Sequence, residues 1–392
     1  MNKLGNIRLH AIFLPVVSLM ILQASGCTRA PGSPPPPGGV YLSQSAGASF
    51  YQSVDIAGQE GGYIANFPLQ QAFRSTIQPE VIYVAAGERG LIKSKDGGQT
   101  WEMIDSPLAQ NRDVVQLENG TLALSGTDSE GQGFILRSLD DGKSWQSVLT
   151  IPIPKGSGFN LFGSTSNTPS VLVALSIDPF NKNRIYAGSS LGTIFAGEQS
   201  AKVWRTLHTI KPTPFSPVQS QENSGVRQLT PSPHKNGEVL VITADRRLLR
   251  IQNTTEEEIV VPGIIGEPIP QFGGATSPRK VYSASYISGF PQGLIVGVEN
   301  GVVATRDGGK TWIELKVPVD KTQKFASIVA DVSPTNTNRI LVAINSVVYR
   351  SEDGGATWNT YSLGVPEYII TQLMIDPSNA SRVLLITAPA NS

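Results

Sequence analysis

Cysteine occurs once in this 392-residue chain, at Cys27, and histidine only three times, at His10, His208 and His234. A single cysteine excludes an intramolecular disulfide. The three histidines stand apart from any Cys or carboxylate cluster with ligand spacing, so no metal site is expected. No glycine-rich phosphate loop or nucleophile elbow occurs, so no cofactor is expected either; GERG at 87–90 reads as a turn between strands. Charge is sparse and balanced, 31 basic against 31 acidic residues. That balance excludes the basic footprint of a nucleic-acid binder. The apolar run AIFLPVVSLMIL at 11–22 is too short to cross a bilayer comfortably.

What the chain does have is turn chemistry: 39 glycines, 28 prolines and one octapeptide that returns four times. The copies are SKDGGQTW at 94–101, SLDDGKSW at 138–145, TRDGGKTW at 305–312 and SEDGGATW at 351–358. Each follows a short apolar run and leads into another, the pattern of a hairpin tip. Gly97, Gly142, Gly308 and Gly354 are expected to supply the positive φ of a tight turn. Asp96, Asp140, Asp307 and Asp353 can accept backbone N–H bonds within it. Trp101, Trp145, Trp312 and Trp358 then bury large rings between neighbouring sheets. Self-similarity at roughly 40–55 residues signals a repeat architecture.

The gap of 167 residues between Ser138 and Thr305 holds three periods, so two copies have decayed inside it. A second repeat locates them: Asp178-Pro179, Ser232-Pro233, Ser333-Pro334 and Asp376-Pro377 each precede an apolar start by six residues, counted from Pro. The spacing places degenerate hairpins at GEQSAKVW (197–204) and IQNTTEEE (251–258), and SQSAGASF (43–50) makes a further one. Seven hairpins result. The C-terminal unit has a first and second strand, near 368–376 and 382–388, and the N-terminal unit has a third and fourth. Joined, they form one blade and hide two open edges. The expected fold is all-β: a seven-bladed β-propeller over 40–392, closed by pairing of the N- and C-terminal strands in one blade.

The octapeptide resembles the Asp-box of the Asp-box (BNR-like) β-propeller superfamily. In that superfamily the boxes sit at the periphery of one face and are structural, which implies no catalytic role for their Asp residues. The propeller as a whole is most similar to the photosystem II assembly/stability factor family, and GERGLIKSKDGGQTW at 87–101 carries that resemblance. It implies a non-catalytic protein-binding or assembly role. The alternative is a glycan-active or glycan-binding propeller, sialidase-like or xyloglucanase-like. Against it, the chain lacks the Arg-Ile-Pro segment of sialidases and fits one propeller instead of the two of the xyloglucanases. All five tryptophans also stand in box positions, leaving none for sugar stacking.

Lys3 and Arg8 precede the apolar run, which ends at Ala24-Ser25-Gly26-Cys27. This resembles a bacterial lipobox, although Ala24 stands where Leu is usual. Residues 1–26 are expected to be a signal peptide, Cys27 the lipidated residue and 27–39 a Pro-rich linker. The protein is then exported and anchored to the bacterial envelope, at the outer membrane or cell surface, touching the membrane through the lipid alone. A partner protein is expected on the face opposite the boxes, met by a monomer. That face carries three long connections, 151–170, 208–227 and 263–278, with Phe159, Phe162, Phe215 and Phe272. Its shorter loops offer Glu88, Arg89, Asp245, Arg246 and Glu299 as candidate contacts.

Overall fold

The computed structural model describes residues 36–57, 63–151, 171–211, 224–263, 265, 278–319 and 325–390. Cys27, the leader and the loop residues Phe159, Phe162, Phe215 and Phe272 lie outside the described residues. Among the described residues, seven sheets account for every strand. Blades 1–6 follow one another along the chain, each a four-stranded antiparallel meander. Blade 1 gains a fifth strand where Asp55–Ile56 lies parallel to its outermost strand. The second strands are rich in apolar residues because both their faces are covered. Leu294–Val298 and Ile340–Ile344, in blades 5 and 6, are buried at every position. Outer strands such as Val203–Thr209 carry the exposed polar residues.

Blade 7 is the composite that the half-repeats predict. Its order from the axis outward is Tyr368–Ile375, Val383–Pro389, Val40–Ser43 and Tyr51–Ser53. The two chain ends meet in register, Val40 opposite Ile386 and Ser43 opposite Val383. Cores then form between blades: Leu384 and Ile386 pack with Val40, Ile82 and Trp101 across the closing seam.

All seven expected hairpins join a third to an outermost strand. In the first intact copy Ser94 Oγ donates to Asp96 Oδ1, at 2.7 Å, and accepts from Gly98 N, also at 2.7 Å. Asp96 in turn accepts from the Thr100 amide at 2.9 Å and from its hydroxyl at 2.6 Å. Asp140, Asp307 and Asp353 repeat these bonds. The degenerate copy at 43–50 keeps the scheme with Ser45 in place of Asp, accepting from Ser49 N at 3.0 Å. Hydrogen bonds from Ser144 and Ser138 hold the Asp140 carboxyl down at about 2.

The expected positive φ is present at Gly97 (77°), Gly142 (87°), Gly308 (78°) and Gly354 (73°). The glycine common to all four copies is the fifth residue, Gly98, Gly142, Gly309 and Gly355, whose φ runs from 87° to 99°. The fourth position is left-handed as well, through Gly97, Gly308 and Gly354, and in the second copy through Asp141 at φ 60°. A non-glycine residue there is strained. Asp141 offsets that strain by accepting from Tyr83 Oη at 2.7 Å and pairing with the buried Lys93 of the blade before it.

Candidate functional site

First-to-second-strand turns and box hairpins share one face, as the bond from Gly354 N to Asn338 O, 2.8 Å, shows in blade 6. Second-to-third-strand turns and blade connections make the other. The innermost strands of all seven blades line an axial channel with a cavity of about 470 Å³. Five of these strands, in blades 2, 3, 4, 5 and 7, carry a β-bulge near their start, at Arg112, Val173, Arg227, Tyr282 and Thr371. A bulge leaves one residue out of the ladder and re-aims its side chain. Arg227, Tyr282 and Thr371 line the channel as a result. In blade 2 the bulge needs Gly126, because a Cβ there would stand 1.9 Å from Gln110 O.

The residue after the bulge clasps a neighbouring blade. Gln372 of blade 7 brackets Ala72 of blade 1, accepting from its N–H at 2.7 Å and donating to its carbonyl at 2.9 Å. Asp113 of blade 2 accepts from Leu175 N of blade 3 at 2.7 Å, and Gln228 of blade 4 donates to Ala284 O of blade 5 at 2.8 Å. Ser283 of blade 5 accepts from Ala330 N of blade 6 at 3.2 Å. Beside that last contact Asp331 accepts from its neighbour Val332 N at 2.9 Å and is bonded by Ser285.

Burial pushes the carboxyls of Asp113 and Asp331 up to about 7. Raised carboxyls in a channel are the sign expected of a hydrolase. In Asp113 both oxygens accept backbone N–H groups, from Val114 and Leu175. Among the described residues no three His, Cys, Asp or Glu side chains are grouped to hold a metal ion.

The five candidate contacts separate in space. Glu88 and Arg89 sit exposed on the second-to-third-strand turn of blade 1, with the Arg89 guanidinium 5.8 Å from the Phe67 ring. Glu299 is half-buried at the corresponding turn of blade 5. Asp245 accepts from Arg247 Nε at 2.9 Å and borders a separate cleft with Glu258 and Arg279. Arg246 alone reaches the channel. Its backbone is left-handed, φ 69°, and its guanidinium lies 4.3 Å from the Tyr282 ring centre. Burial and the like charge of Arg227 lower its pKa. Neither arginine forms an ion pair with any described residue. Sequence reasoning missed Arg227, Tyr282, Asp113 and Asp331; the available signal was a polar residue breaking an apolar first strand, as in NRDVVQL and IVADV.

No protein-family model matches the chain. It is 21% identical over 361 residues to a probable oligoxyloglucan-reducing end-specific xyloglucanase of Neosartorya fischeri, spanning 77% of this chain but only about two fifths (40%) of that relative. Among solved structures it is similar to YCF48 from Cyanidioschyzon merolae, with TM-score 0.54 and 16% identity over 82% of this chain and 95% of that one. It is also similar to a structure of YCF48 bound to D1 peptide, with TM-score 0.51 and 16% identity over 87% and 99% of the two chains. At such identities the likeness is one of fold, and the fold the chain shares with these structures is the seven-bladed propeller.

Proposed function

We propose that the protein is a non-catalytic binding platform that holds a segment of a partner protein at the channel mouth, opposite the box hairpins. One observation carries this reading. Arg227 and Arg246 stand together, without an acidic partner among the described residues, beside the half-buried Tyr282 at the rim of a concave site. Guanidinium and Tyr groups of this kind are the usual anchors of protein contacts. The similar YCF48 structure bound to a peptide supports it by analogy of fold. In capture from detergent-solubilised membranes, Arg227→Glu with Arg246→Glu should cut recovery of the native partner at least tenfold without moving the melting temperature. Lys143→Glu with Lys310→Glu, on the box hairpins, should leave recovery unchanged; the reverse pattern moves the site to the box face. A hydrolase remains the second reading because Asp331 is raised, and Asp331-dependent release of reducing ends from xyloglucan would establish it.

The same proposal includes an envelope lipoprotein, from the leader and the solitary Cys27. Labelled palmitate should enter the wild type and not Cys27→Ala, which should shift to the soluble fraction. Unlabelled, soluble wild-type protein would refute the anchor.

A further inference from the structure

Resting on that reading of the channel mouth, we propose that the group held there is an anion presented by a peptide, a terminal carboxylate or an acidic side chain, and that Asp113 and Asp331 make its capture pH-dependent. Among the described residues, four charged side chains line the channel: Arg227 and Arg246 at the mouth, Asp113 and Asp331 on the walls of blades 2 and 6. With both acids protonated the described lining presents two positive charges and no negative one. With both ionised, the charges cancel in sum and an entering carboxylate meets two like charges.

Among the described residues, the groups that face the two acids from the elements packed against them are few. Asp113 packs against Leu122–Thr127 and Leu172–Ile177, which carry no charged residue. Its own strand adds Arg112, which donates to Gln70 Oε1 at 3.3 Å, and blade 1 adds Arg74, committed to Pro79 O and paired with Asp376. Asp331 packs against Ile340–Ile344, also without charge, and blade 7 contributes only Tyr368. Blade 5 contributes Tyr282 and Tyr286, the latter donating to Glu238 at 2.9 Å and pushed further up by burial.

Burial sets both acids at about 7, so they change charge within the accessible pH range. Asp331 keeps partial exposure to the channel, which gives its proton a path to solvent. Binding should be tightest below roughly pH 6 and weaken as pH rises through 7. A cavity of about 470 Å³ puts a central carboxylate roughly 5–10 Å from its lining. At that range, with intermediate screening, each ionised acid weakens binding roughly three- to sixfold, and both together about ten- to thirtyfold. The other blade clasps, Gln228, Ser283 and Gln372, do not titrate near neutrality, which confines the effect to two positions.

The test uses three dye-labelled Ala/Leu pentapeptides: one ending in a free carboxylate, one in an amide, and one amide-ended with a single internal Glu. Their own carboxylates stay ionised from pH 5.5 to 8.5. Fluorescence anisotropy at fixed ionic strength should show a carboxylate-bearing probe losing tenfold or more in affinity from pH 6 to pH 8. The amide probe should bind weakly throughout, and the comparison of the first and third probes identifies which kind of carboxylate is read. Asp113→Asn and Asp331→Asn should each remove part of the slope, and if neither variant folds the wild-type probe comparison decides alone. Carboxylate-selective binding that is flat with pH overturns the pH inference and leaves the channel-mouth reading standing. An equal pH response from the amide probe overturns the inference too, because it would mean that the ring changes shape. Absence of binding by every probe at every pH counts against the channel-mouth reading itself.

Discussion

Removal of residues 377–392 should abolish cooperative melting. The segment contains Val383–Pro389, the second strand of the composite blade, which pairs with Tyr368–Ile375 on one side and Val40–Ser43 on the other. Without it the N-terminal strands have no ladder to join, and two edges face each other unpaired. Val383, Leu384, Leu385 and Ile386 are at most 1% exposed, so two inter-blade cores open at once. The expected product aggregates, or melts over a broad range with no single transition by circular dichroism. A truncated protein with the parent's transition would show that the ring does not depend on its closing strand.

The second large effect is expected at Trp101, which is 1% exposed and belongs to the core at the closing seam. Its indole N–H donates to Ser53 Oγ at 2.8 Å, so one side chain ties blade 1 to the outer strand of blade 7. Trp101→Ala removes the ring and leaves a cavity, a loss of about 3–5 kcal/mol. Loss of the Ser53 contact adds about 1 kcal/mol. Urea unfolding followed by fluorescence of the remaining tryptophans measures it, while capture of the partner by the folded fraction should persist. A change under about 1 kcal/mol would mean that the box tryptophans do not hold the blades together.

The box hairpins were legible because their chemistry is local. A Ser or Thr, an Asp and a glycine within five residues satisfy one another, whatever lies around them. Ring closure was legible because the termini carry complementary halves of one repeat. The channel was not, and the reason is physical. Whether Arg227 belongs to a loop or a strand depends on a bulge that only pairing with Glu238–Thr243 creates, so the sequence reading left it in the connection 208–227. Asp113 and Asp331 look like ordinary polar interruptions until the neighbouring blade supplies their partners, as Leu175 N and Ser285 do. Arg246 was foreseen as a loop charge, and its stacking on Tyr282 of the next blade was not. Local turns can be read from one segment; a site assembled from seven first strands cannot.

The proposed recognition takes place at the channel mouth and not on the box face. Site-specific photo-crosslinking in the native host tests it most directly. A benzoylphenylalanine replaces Tyr282 at the mouth in one strain, and Leu139, 69% exposed at a box hairpin, in another. Irradiation should give a discrete protein adduct from position 282 and none from 139, and the adduct should vanish when Arg227→Glu is added. An adduct from 139 with none from 282 would contradict the claim and place the partner on the opposite face.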